Sequence, residues 1–73
     1  MGFDSMKVFI TIVPTKQQTT LQLNDGSTIT ELIKHLQFKL HATIVLHNNT
    51  PVPEDDLVVD GEEYLVIPVA SGG

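Results

Sequence analysis

Ile29, Leu32, Ile33 and Leu36 stand at i, i+3, i+4 and i+7, a continuous apolar stripe of helical period. Thr28 and Glu31 have capping-box spacing, in which each side chain bonds a free backbone N–H at the helix start. On either side of this stretch the pattern changes to alternation in twos. Met6, Val8, Ile10 and Ile12 alternate with Lys7, Phe9, Thr11 and Val13, which reads as a strand. Pro14-Thr15-Lys16-Gln17 reverses the chain, and residues 19–23 give a second strand with Leu21 and Leu23 inward. After the helix, residues 42–47 place Ile44 and Leu46 on one side and Thr43, Val45 and His47 on the other. Asn48-Asn49 and Asp60-Gly61 are turn signals, with a short edge strand expected at 57–59 between them. Residues 64–69 form the last strand, with Leu65 and Ile67 expected inward.

One helix among these strands must cover one face of one sheet, because 73 residues supply a single small core. A chain of this size buries only about 60% of the surface its unfolded form exposes. Full burial of the four helix residues contributes at most roughly 6–12 kcal/mol before entropy is subtracted. The order strand, strand, helix, strand, short strand, strand then has a familiar solution. It is an α+β fold: a mixed sheet of four to five strands, the first and last parallel and adjacent in its middle, with the helix across one face. Pro68 conflicts with a central strand because it lacks a ladder donor, so pairing is expected to thin out after Ile67. Residues 1–5 are expected to be a disordered extension, 6–69 the domain and 70–73 a flexible tail.

Composition removes whole classes of function. With no Cys, the chain has no disulfide, thiolate nucleophile or thiol-ligated metal. The net charge is −5, and the only Lys or Arg side chains are Lys7, Lys16, Lys34 and Lys39. Too few cations are present to neutralise phosphates, and anionic membranes repel such a chain, so neither nucleic acid nor membrane is an expected partner. A basic protein partner is favoured instead. No stretch approaches the roughly 20 apolar residues that span a bilayer, and Met1-Gly2-Phe3-Asp4-Ser5 does not read as a secretory signal. A soluble, cytoplasmic monomer is the expectation.

Residues 45–73 carry a resemblance. A strand ending near Asn48, then Val52-Pro53, then Asp60-Gly61-Glu62, a β-rich strand and a closing Gly72-Gly73 follow one another. In that order they resemble the C-terminal half of the ThiS/MoaD superfamily of ubiquitin-like β-grasp proteins, in particular its small archaeal modifier and sulfur carrier branch. Glu62 stands where that family often has Asp, and Pro68 also departs from its usual pattern. The resemblance implies a carrier or modifier that is a substrate, not an enzyme. An E1-like adenylating enzyme uses ATP and Mg²⁺ to convert the C-terminal carboxylate to an acyl-adenylate, and the chain itself binds no cofactor. Sulfur transfer then gives a thiocarboxylate for tRNA thiolation, thiamine or molybdopterin synthesis, so a sulfur-acceptor enzyme is one partner. Alternatively, the activated glycine forms an isopeptide bond with a lysine of a target protein. Both routes begin with one adenylate, and the residues do not separate them.

Glycine suits this chemistry. An α-carboxyl group has a reference pKa of about 3.3–3.7, so at neutral pH Gly73 presents an anion, unreactive until a leaving group is attached. Without a Cβ, Gly72 and Gly73 can thread a narrow passage, and four residues from Ala70 reach about 13–14 Å.

Docking requires a face, and Phe9, Thr11, Val45, His47 and Val66 are expected on the side of the sheet away from the helix. Surface apolar residues are also ordinary in a domain too small to cover them. Glu54, Asp55, Asp56, Asp60, Glu62 and Glu63 read as solvated loop or as the counterpart of a basic partner. Lys7, Lys16, Lys34 and Lys39 are candidate conjugation acceptors. His35, His41 and His47 fall on different elements, which argues against a metal site, and no nucleophile–base spacing is present. Two other readings remain: an interaction module that never uses its C-terminus, and a small subunit whose tail inserts into a partner's active site.

Overall fold

The computed structural model describes residues 5–69. Both the diglycine and residues 1–4 lie outside that range. Five strands form one sheet in the order β2-β1-β5-β3-β4. They are β1 (Ser5–Ile12), β2 (Gln17–Asn24), β3 (Thr43–His47), β4 (Thr50–Pro51) and β5 (Glu63–Pro68). The helix α1 (Ile29–His35) lies between β2 and β3, and a 3-10 turn over Leu40–Ala42 leads into β3. β1 and β5 pair in parallel at the centre, with β2 antiparallel to β1 and β3 antiparallel to β5. This is the expected α+β, β-grasp architecture.

The core follows from strand parity. Met6, Val8 and Ile10 of β1, Leu23 of β2 and Ile29, Leu32 and Ile33 of α1 are buried together, and Leu36 packs against them from the rim. Ser5 pairs with Asn24, so β1 begins one residue before the expected boundary.

Three further expectations are corrected. The capping box does not form, since Thr28 makes no side-chain cap bond. Carbonyls of the acidic loop serve α1 instead: Ile29 N–H donates to Asp56 O and Thr30 N–H to Glu54 O, both at 2.9 Å. Backbone carbonyls satisfy the orphan donors as well as a side chain would. Residues 57–59 are not a strand; they make one bridge, Leu57 to Thr28, and the sheet edge is β4. β5 extends through Pro68, which pairs with Thr43. The parallel pairing of β5 with β1 has already ended at Val66, so Pro68 stands where that ladder demands no donor.

Parity on β3 and β5 is the opposite of the expected one. Val45 and Val66 are 2% and 0% exposed and face the helix. Leu65 and Ile67 face outward. Both strands are apolar on both faces, so alternation alone does not say which set enters the core.

Candidate functional site

The register assembles the outer face of the sheet in rows. Gln18, Thr11, Leu65 and Leu46 lie side by side across four strands. Thr20, Phe9 and Glu63 form the next row toward the start of β5, and Ile67 with Ile44 the row toward its end. Phe9 and Ile44 are each 45% exposed, and Leu46, Leu65 and Ile67 are partly buried. These side chains make an apolar strip that follows β5 toward the tail. Neighbouring apolar groups uncovered together are a common interface feature.

Of the residues expected on this face, Phe9 and Thr11 lie on it. Val45 and Val66 do not, being core residues. His47 does not lie there either, because it shares the inward parity of Val45. Its ring stacks on Tyr64 with centroids 4.8 Å apart and an interplanar angle of 27°. His47 Nε2 is 2.8 Å from Glu62 Oε1. Tyr64 is buried, and its hydroxyl accepts from Val59 N–H at 3.0 Å. The His47–Tyr64 pair thus closes the core at the end of β3 and fixes the Glu62 carboxylate beside the β3–β4 turn.

At that end the outer face drops into an open cavity of about 480 Å³, lined among others by Leu46, Asn48, Asn49, Glu62, Glu63 and Leu65. Asn48 and Asn49 take φ of 55° and 64°. Asn tolerates this left-handed region better than most residues, and the two together suit a two-residue hairpin turn. Glu63 leaves the strand on the outer face, where Thr11 Oγ1 donates to its Oε2 at 3.2 Å.

The remaining acidic residues divide by role. Asp60 Oδ1 accepts from Lys7 N–H and Gly61 N–H donates to Lys7 O, both at 2.8 Å, so this turn moors the loop to β1. Glu54 and Asp56 lend backbone carbonyls to the helix, leaving their side chains exposed. Lys7, Lys16, Lys34 and Lys39 are all exposed and stand on β1, the hairpin turn, α1 and the lead into the 3-10 turn. Among the described residues no three His, Asp or Glu side chains gather as a metal site would require.

The family model of small archaeal modifier protein 2 matches residues 6–67. The chain belongs to this family. Its role is accordingly that of a small modifier, and such modifiers are in general not enzymes. No curated protein matches the chain in sequence. Among solved structures it is similar to Caldiarchaeum subterraneum ubiquitin at TM-score 0.73 and 16% identity, over 94% of this chain and 99% of that one. The ubiquitin-like domain of Plasmodium falciparum Dsk2 gives 0.71 and 14%, over 88% and 97% of the two chains. A de novo design based on ubiquitin gives 0.74 and 18%, over 97% and 96%. At such identities these likenesses show the fold. A small archaeal modifier with a ubiquitin-like fold agrees with the strand order and the single helix described above. No described helix is long and apolar enough to cross a membrane.

The sequence reading missed Ile44, Leu46, Leu65 and Ile67 as surface residues. A signal for two of them was present. Glu63 is charged and opens β5, so placing it outward forces Leu65 and Ile67 outward with it.

Proposed function

We propose that this small modifier acts through the carboxylate of Gly73. An E1-like enzyme would attach AMP to that carboxylate from ATP with release of pyrophosphate, with Mg²⁺ neutralising the phosphate charge. A sulfide donor then displaces AMP to leave a thiocarboxylate, or a target lysine amine displaces AMP and takes the acyl group as an isopeptide. Either step breaks the acyl–phosphate bond and forms one bond at the Gly73 carbonyl carbon. Gly72 and Gly73 suit the passage because neither carries a Cβ. A cytoplasmic location is part of this proposal, since adenylation draws on ATP.

The observation that carries the reading is membership of the modifier family, together with where the tail is rooted. β5, which leads to it, is the sheet's central strand, bonded to β1 and to β3. Docked by its outer face, the domain would hold the root of the tail fixed while a partner works on the end. Incubation with an E1-like enzyme, ATP and a sulfur donor tests this by intact mass. A gain of about 16 Da, the exchange of oxygen for sulfur, is expected on the acyl group. An unchanged mass together with an absence of lysine adducts in cells contradicts it.

A second reading has its own observation. The apolar strip from Phe9 to Ile67 is open to solvent at Phe9 and Ile44, and a module that bound through it would need no free carboxylate. Binding that survives extension of the chain beyond Gly73, with no activation detected, would favour that reading.

A further inference from the structure

The sheet has two edges, and they are not alike. β4 closes one side with two residues, of which Pro51 has no N–H to offer. β2 forms the other with eight residues, Gln17–Asn24, and carries no charge, no proline and no bulge against β1. Folded proteins ordinarily guard such an edge, since its free backbone groups are a template for another strand. We propose that the unguarded edge of β2 takes β2 of a second copy of this chain, antiparallel about a two-fold axis at Thr20. This pairing is independent of any reaction at Gly73.

Hydrogen-bond alternation identifies the free groups. Phe9 N–H donates to Glu62 O and Val13 N–H to Val66 O, both at 3.0 Å, so the odd residues of β1 turn their backbone toward β5. The even residues turn theirs to β2, where Val8 meets Leu21 and Ile10 meets Thr19. The N–H and C=O of Gln18, Thr20 and Gln22 therefore point away from β1 in the plane of the sheet, and all three residues are exposed. No described turn or loop backbone bonds to them. Asn24 O, the next in line, is occupied by Ser27, whose N–H and Oγ reach it at 3.1 and 2.7 Å. At the other end Lys16 leaves the strand with φ of 60°. The free row is thus centred on Thr20.

A row of this kind fits its own copy. Facing residues of an antiparallel pair lie on one side of the sheet, so a two-fold axis requires facing positions of equal parity. Centring on Thr20 opposes Gln18 to Gln22 and Thr20 to Thr20, each pair exchanging two backbone bonds and together using every free group. The side chains at these positions are uncharged, so the net charge of −5 sets no like charges against each other across the seam. The ends supply attraction. Lys16 precedes the strand and Asp25 follows it, both exposed, and antiparallel pairing brings Lys16 of each copy beside Asp25 of the other. Neither is engaged in an ion pair among the described residues. An unrelated extended peptide would satisfy the same backbone bonds, but a copy of this chain also supplies Lys16 and Asp25 at matching ends. The joined sheet keeps both helices on one face and both apolar strips on the other, so a partner with two matching sites engages both copies.

One strand against one is a small interface, so the association is read at high protein concentration. The sedimenting mass of the full chain should rise with concentration from one chain toward two, with amide NMR shifts centred on Gln18, Thr20 and Gln22. In a mixture of labelled and unlabelled chains, an intermolecular contact between Thr19 Hα and Leu21 Hα fixes the register, since these form the close pair that exchanges no backbone bonds. Thr20→Pro removes a donor that the β1–β2 ladder does not use and should leave a folded monomer. Lys16→Asp and Asp25→Lys, each with its fold checked by the amide spectrum, should weaken self-association about tenfold, while the two variants mixed together associate like the parent. A mass of one chain at every concentration, shifts on the Phe9–Ile67 strip in place of β2, or undiminished association of Thr20→Pro would each overturn the proposal. So would a mixture of the charge variants no tighter than its components, or capture of an unrelated extended peptide without self-association.

Discussion

Thr30 donates twice to Glu54: its backbone N–H and its Oγ1 both reach the Glu54 carbonyl oxygen, each at 2.9 Å. The contact ties the first turn of α1 to the acidic loop 24 residues away in sequence. It replaces the local cap that Thr28 and Glu31 suggest.

Thr30→Val keeps the shape of the side chain and removes one of the two bonds. It should lower stability by about 0.5–1.5 kcal/mol, measured by urea unfolding. Glu31→Gln should leave stability within about 0.5 kcal/mol, because Glu31 is exposed and no capping box forms around it. If Glu31→Gln costs more than Thr30→Val, the loop does not cap the helix.

What was legible in the sequence was whatever one face of an element decides. β1 alternates apolar with mixed residues and α1 carries one apolar stripe, so the hairpin, the helix and most of the core were readable from period alone. β3 and β5 are apolar on both sides, and there the same rule gave Val45 and Val66 to the surface when they belong to the core. The helix cap was hidden for a different reason. It is made by main-chain carbonyls of residues far along the chain, and no side-chain pattern announces that. The Thr11–Glu63 bond was hidden because it depends on register: the two meet only once β1 and β5 pair in parallel.

Parity is open to a direct test. Val66→Ala and Val45→Ala should each destabilise the fold by about 1–3 kcal/mol through lost burial and the cavity left behind. Ile44→Ala, one residue from Val45, should stay within about 0.5–1 kcal/mol because the side chain is already half in water. Urea midpoints of the three variants settle the order. A larger loss at Ile44 than at Val45 would mean that the strand is inverted.

Gly61 sits at φ +81° with open space where a Cβ would point. Gly61→Ala should therefore cost about 1 kcal/mol from backbone conformation alone, with no steric clash to add. Gly61→Asn should cost less than Gly61→Ala, since Asn visits the left-handed region more readily. Thermal unfolding of the pair checks the ranking, and an Asn variant less stable than the Ala variant would show that space, not φ, governs the position.

The most direct measurement for the account as a whole is ATP–pyrophosphate exchange by an E1-like enzyme in the presence of this protein. Exchange reports reversible adenylation at a carboxylate and needs neither a sulfur donor nor a target lysine. The chain ending in Gly73 should support exchange, and the same chain shortened by Gly73 should not, with its fold unchanged. Equal exchange with the shortened chain would contradict the assignment of Gly73 as the acyl group.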